Sequence, residues 1–153
     1  MGGYGAKSTR SKGSHYQDTA GLKVDDSAVI EVAEYFINKG LYVAFLHPNG
    51  KDPRADLSVE GRHIEVKGLK TLSPNTIEPR ISHAFEQVHG DDKRYPPETW
   101  REGKVVLLSQ HDSKIPVETI LHAMQEGYNI AKRKGNVTGK VELWIRGKII
   151  ELN

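Results

Sequence analysis

The chain contains no cysteine, which excludes disulfides and thiolate metal sites and leaves the redox compartment open. It also lacks any apolar run near the ~18–20 residues that cross a bilayer, so no membrane segment is expected. Lys7, Arg10 and Lys12 near the start have no apolar stretch behind them, so no secretory signal peptide is expected and the chain reads as soluble and cytoplasmic. A large excess of one charge is missing too: the formal net charge is +2, too small to argue for nucleic acid by itself. Cations nonetheless gather at residues 7–23 and again at Lys132, Arg133, Lys134, Lys140, Arg146 and Lys148. Such clusters either contact phosphates or form an ordinary solvated surface. Apolar residues make up 37% of 153 positions, a lean share that fits one domain with a modest core and a polar tail. Residues 1–22, rich in Gly, Ser and Lys without periodicity, are expected to be a flexible basic segment, and 23–153 a single domain.

What is present is most concentrated between Asp56 and Lys67. Leu57 and Val59, then Ile64 and Val66, alternate with polar residues around Glu60-Gly61, the period-two pattern of a half-buried hairpin. A two-residue turn there pairs Val59 with Arg62, Ser58 with His63, Leu57 with Ile64 and Asp56 with Glu65. The apolar residues then share one face, and Asp56, Glu65 and Lys67 share the other. Directly opposed Cβ atoms lie ~4.5–5.5 Å apart, and like charges so placed destabilise a sheet. A divalent cation removes the conflict. Two hard oxygen donors suit Mg²⁺ (or Mn²⁺), which binds through one or two carboxylates plus waters and phosphate oxygens. A neighbouring lysine stabilises an anionic transition state.

Pro53-Arg54-Ala55-Asp56 followed by Glu65-Val66-Lys67-Gly68 resembles the PD-(D/E)xK, restriction-endonuclease-like nuclease superfamily, with Pro53 three residues before Asp56 rather than adjacent to it. The pattern is most similar to the C-terminal nuclease or tRNase domains of contact-dependent growth-inhibition toxins, and spans roughly residues 27 to 110. The resemblance implies a metal-dependent endonuclease acting on tRNA, other RNA or DNA. It further implies an immunity protein as partner and delivery into a target cell. It assigns Asp56, Glu65 and the Val66 carbonyl to the metal and makes Lys67 the catalytic lysine. A glutamate of the first helix is also implied to reach the metal: Glu31 matches the spacing to Gly40, while Glu34 lies nearer the apolar stripe. Gln87 is implied near the centre from the second helix.

The surrounding sequence predicts a helix from Ser27 to Lys39 after Asp25-Asp26, stopped by Gly40, and a strand at Leu41 to Leu46. A second helix is expected from about Glu78 to Val88, after a stop at Ser73-Pro74-Asn75. Ile81, Phe85 and Val88 form one of its faces; Arg80, His83, Ala84 and Gln87 form another. Arg80 is a candidate phosphate grip, and His83 and His63 are further candidate substrate contacts. With His47, those histidines also permit metal-free RNA cleavage by acid–base catalysis. Residues 89–103 are expected to form a long polar loop. Val105 to Leu108 reads as a central strand, Pro116 as a helix start, and Val141–Ile145 with Lys148–Leu152 as a closing hairpin. The order α-β-β-β-α-β-α-β-β predicts an α/β sandwich around one mixed sheet. An inactive nucleic-acid-binding module on the same fold is the alternative to an enzyme.

Overall fold

The computed structural model describes residues 9–10, 16–17, 23–24, 26–46, 54–90, 92–93, 95–96, 98, 100 and 102–153. Three two-residue strands, β1 (Thr9–Arg10), β2 (Tyr16–Gln17) and β3 (Lys23–Val24), pair antiparallel as a small separate sheet. Two of them fall within 1–22; the rest of that segment, and its expected flexibility, lie outside the described residues.

Helix α1 (Ser27–Asn38) starts where Asp26 accepts hydrogen bonds from the Ala28 and Val29 amides at 3.0 and 3.3 Å. That side chain satisfies donors that no preceding turn can reach. The helix ends at Gly40, whose φ of 80° suits a residue without Cβ. One sheet follows: β4 (Val43–Phe45), β5 (Leu57–Val59), β6 (Arg62–Leu69), β7 (Lys104–Ser109), β8 (Lys140–Ile145) and β9 (Lys148–Leu152). Its strands lie in sequence order, with β6–β7 and β7–β8 parallel and the other pairs antiparallel. The fold is thus the expected mixed α/β sandwich, and its order from α1 onward is the one predicted.

The first hairpin has the predicted register, Leu57 with Ile64, Ser58 with His63 and Val59 with Arg62. Glu60 and Gly61 both hold positive φ, 50° and 84°, as a turn matched to strand twist requires.

Helix α2 (Pro74–Val88) begins earlier than expected. Pro74 opens it rather than stopping it, because a proline in the first helical position gives up an amide that has no partner there anyway. The Ser73 carbonyl accepts from the Ile77 amide at 2.9 Å. Helix α3 (Val117–Arg133) crosses α2 closely: a Cβ on Gly127 would lie 2.5 Å from Ile77 Cγ2. Both helices cover one face of the sheet, where Ile77, Ile81, Phe85, Leu107, Met124 and Leu143 pack, and α1 covers the other, over Leu57, Ile64 and Val106. β7 therefore sends Val105 and Leu107 one way and Val106 and Leu108 the other, which explains its unbroken apolar run. Ala84 belongs to this core, fully buried, and not to a polar face with Arg80. Among the described residues no helix is long and apolar enough to cross a membrane.

Candidate active site

The hairpin register carries the two carboxylates to one place. Asp56 stands one residue before β5 and Glu65 in the middle of β6, one step beyond the backbone ladder. Side chains complete the pairing there. The Asp56 amide donates to Glu65 Oε1 at 3.0 Å, and the Val66 amide donates to Asp56 Oδ2 at 3.0 Å. Lys67, two residues along the same face, brings Nζ to 3.1 Å from Glu65 Oε2 and donates to Gln87 Oε1 at 2.6 Å. Asp56, Glu65, Lys67 and Gln87, predicted from separate elements, are thereby joined in one network.

The electrostatics of the pair follow from its surroundings. Glu65 is 2% exposed. Burial, then the negative charge of Asp56, push its carboxyl up to about 9, against the opposing pull of Lys67. Burial also raises Asp56, whose carboxyl shares a hydrogen bond with that of Glu65. Two acids with one lysine between them are undercompensated, so at neutral pH the pair keeps a proton. With Glu65 protonated, its 3.1 Å approach to Lys67 is a charge–dipole contact and not a full ion pair.

The network forms the wall of a polar cleft of about 380 Å³, to which α2 contributes Arg80 and Gln87 and the start of α1 contributes Asp26. Val66 joins through its backbone, since its side chain packs in the α1 core. The opening lies toward the carboxyl ends of β6 and β7, where sheets of parallel strands commonly bind ligands. Gly68 lets the Gln110 side chain settle against the strand there: a Cβ would meet Gln110 Oε1 at 2.5 Å.

Four candidate residues are not brought to the cleft. Glu31 is exposed one turn further along α1 and lines a different cavity. The chain enters the site at the first residue of the helix, so Asp26 takes the acidic place beside the dyad, close enough to raise the Asp56 carboxyl. His83 points to solvent, 3.5 Å from Glu86, because the helical step from Arg80 turns it outward. His63 is buried on the Glu65 side of β6 and does not line the cleft. Glu34, half-buried on α1, does not line it either. His47 and Pro53 lie outside the described residues.

Asp26 and Gln110 are among the lining residues that escaped the sequence reading. Asp26 signalled itself only as a helix cap, and Gln110 only by following the central strand. The donor set is hard: two carboxylates and backbone oxygen. Among the described residues no three His, Asp or Glu side chains converge on a metal-sized point. Two carboxylates beside a backbone carbonyl suit Mg²⁺ or Mn²⁺, which keep most positions for water and substrate oxygens.

No protein-family model matches the chain, and no curated protein matches it. Among solved structures it is similar to a chain of the CdiA-CT/CdiI toxin and immunity complex from Burkholderia pseudomallei. The identity is 18% and the TM-score 0.46, over 82% of this chain and 81% of that chain.

Proposed function

We propose that this chain is a metal-dependent nuclease of the PD-(D/E)xK type, hydrolysing phosphodiester bonds. The observation that carries the reading is the buried Asp56–Glu65 carboxyl pair, undercompensated by Lys67, on the wall of a polar cleft. Asp56 and Glu65 would hold Mg²⁺ or Mn²⁺, with the Val66 carbonyl as a further donor. Such an ion supplies a more acidic bound water and neutralises phosphoryl charge. As a ligand Glu65 would be deprotonated, which would give Lys67 a full anionic partner. Lys67, held by Gln87, provides positive charge for the transition state. Arg80, exposed at the rim, offers a planar fork for a substrate phosphate.

The motif's resemblance to growth-inhibition toxin domains supports a toxin role. Transfer RNA is then the first substrate to try, other RNA and DNA the next, and an immunity protein covering the cleft is the expected partner.

The test incubates the protein with total tRNA, plasmid and single-stranded DNA in Mg²⁺ or EDTA, beside Glu65→Gln and Lys67→Ala. Metal-dependent cleavage, reduced by about 10²–10⁴-fold in either variant, is expected. Binding without cleavage of any substrate would favour the inactive binding module. Cleavage that survives EDTA and both variants would move the chemistry to the histidines.

A further inference from the structure

A second cavity, of about 370 Å³, opens on the α1 side of the sheet and adjoins the cleft. Ala28 borders the cleft, while Glu31 and Tyr35, on the same helical face, border this cavity. Along β7 the hand-over is equally short: Ser109 lines the cavity and Gln110 the cleft. A strand leaving the cleft over the start of α1 would run toward this cavity.

The lining has a mixed character that narrows its occupant. Tyr35 and Trp144 stand edge to face, with ring centroids 4.8 Å apart. The Trp144 indole N–H already donates to Glu142 Oε1 at 3.0 Å, so the ring serves the cavity as apolar surface. Arg146 is held at the rim by the carbonyls of Asp112 and Ile115, at 3.2 and 2.5 Å. Lys148 is exposed beside it, and Glu31 faces them from α1. An apolar peptide anchor would desolvate three charges without pairing them. A flat ring bearing hydrogen-bond donors on one edge and an anion on the other satisfies all of them.

We propose that this cavity receives an unpaired nucleobase of the substrate strand, guanine before the others, a proposal that rests on the nuclease reading for its substrate. Stacking on aromatic side chains accepts any base. The choice comes from Glu31, whose carboxylate accepts two parallel hydrogen bonds. Guanine alone presents two adjacent donors, N1–H and the N2 amino group. Adenine and cytosine present one donor beside an acceptor, and uracil one between two carbonyls. Arg146 and Lys148 take the attached phosphate. Glu31 is thus a specificity residue rather than a ligand of the metal.

The experiment follows Trp144 fluorescence in Trp100→Phe protein, where it is the only tryptophan left of two. Guanosine, adenosine, cytidine and uridine 5′-monophosphates are titrated in EDTA. Guanosine monophosphate should quench at a concentration at least tenfold lower than the others. Glu31→Gln should abolish that preference, Lys148→Ala should weaken all four, and Lys67→Ala should change none. Calorimetric titration of the unsubstituted protein gives the same ranking should Trp100→Phe fold poorly. Equal affinity for the four nucleotides, no binding, or indifference to Glu31→Gln would overturn the proposal. Base-selective binding by a protein that cleaves nothing sinks the nuclease reading and leaves the pocket. Cleavage without base-selective binding does the reverse.

Discussion

Glu65 and Glu78 are both buried glutamates, 2% and 7% exposed, and each meets a lysine, at 3.1 and 2.6 Å. They respond in opposite directions. The Glu65 carboxyl rises to about 9, whereas Lys134 and the Ser82 hydroxyl hold Glu78 below the usual range. Desolvation is the largest cause of the Glu65 rise, whereas at Glu78 the hydrogen bonds from Lys134 and Ser82 outweigh it. Company adds to that difference: Glu78 has a cation and a hydroxyl, while Glu65 shares one lysine with a second acid. A region whose charges balance is finished without a ligand. On the nuclease reading, the region left short of positive charge is where a cation would bind.

The strongest way to break this comparison is to remove the excess acid. Glu65 has a folded-state pKa above its unfolded value, so between about pH 4.5 and 9 the folded protein binds more protons than the unfolded chain. Stability of the metal-free protein must then fall as pH rises through that window, and the cost is absent below it. Glu65→Gln keeps the shape and loses the titration. In EDTA at pH 8 it should be more stable than the parent by on the order of 1–3 kcal/mol, several degrees in Tm, while losing cleavage. Thermal unfolding from pH 5 to 8.5 checks this. A parent curve as flat as the variant's would remove the basis for calling the pair undercompensated.

A cation should supply what the substitution does. Mg²⁺ at ten times its Kd stabilises by about 1.4 kcal/mol through linkage. The Tm rise should grow between pH 6 and 9, because Glu65 must lose its proton to bind. Asp56→Asn and Glu65→Gln should each cancel the shift, and Glu78→Gln should leave it whole. A shift that survives Asp56→Asn would place the ion elsewhere.

The hairpin was legible because its information is local. A period of two, a turn glycine and counting put Asp56 opposite Glu65 before any coordinates, and Gln87 followed from the resemblance. Glu31 was expected near the pair and lines another cavity, with Asp26 at the cleft instead, for a geometric reason. Residues on one helical face differ in height along the axis by ~1.5 Å each, and sequence spacing does not say at which height the helix crosses the sheet. The structure crosses at its first turn and selects Asp26. The start of α2 was misplaced because proline carries two opposite meanings, a stop inside a helix and a favoured first residue at its start. Gln110 is a consequence of β6 and β7 lying parallel side by side, a pairing between residues some forty positions apart that no local pattern encodes.

The smallest effect is the sharpest test of the balanced half of the comparison. Lys134 is 57% exposed, so water and salt screen its attraction for Glu78, and the pair should contribute only about 0.5–1 kcal/mol. Glu78→Gln should lower stability by that amount at pH 7. Because the folded pKa of Glu78 lies below 4.5, the contribution is present above that pH and is lost as pH falls through the folded value. A double-mutant cycle with Lys134→Met, read by urea unfolding, should give a coupling that shrinks in 1 M salt. The Ser82 hydroxyl lies 2.6 Å from the native Oε2 of Glu78, so it would still donate to the amide oxygen that the Glu78→Gln change puts there. A coupling of several kcal/mol, insensitive to salt, would mean that Glu78 is desolvated as deeply as Glu65. The opposite behaviour of the two acids would then rest on their partners alone, Asp56 above all.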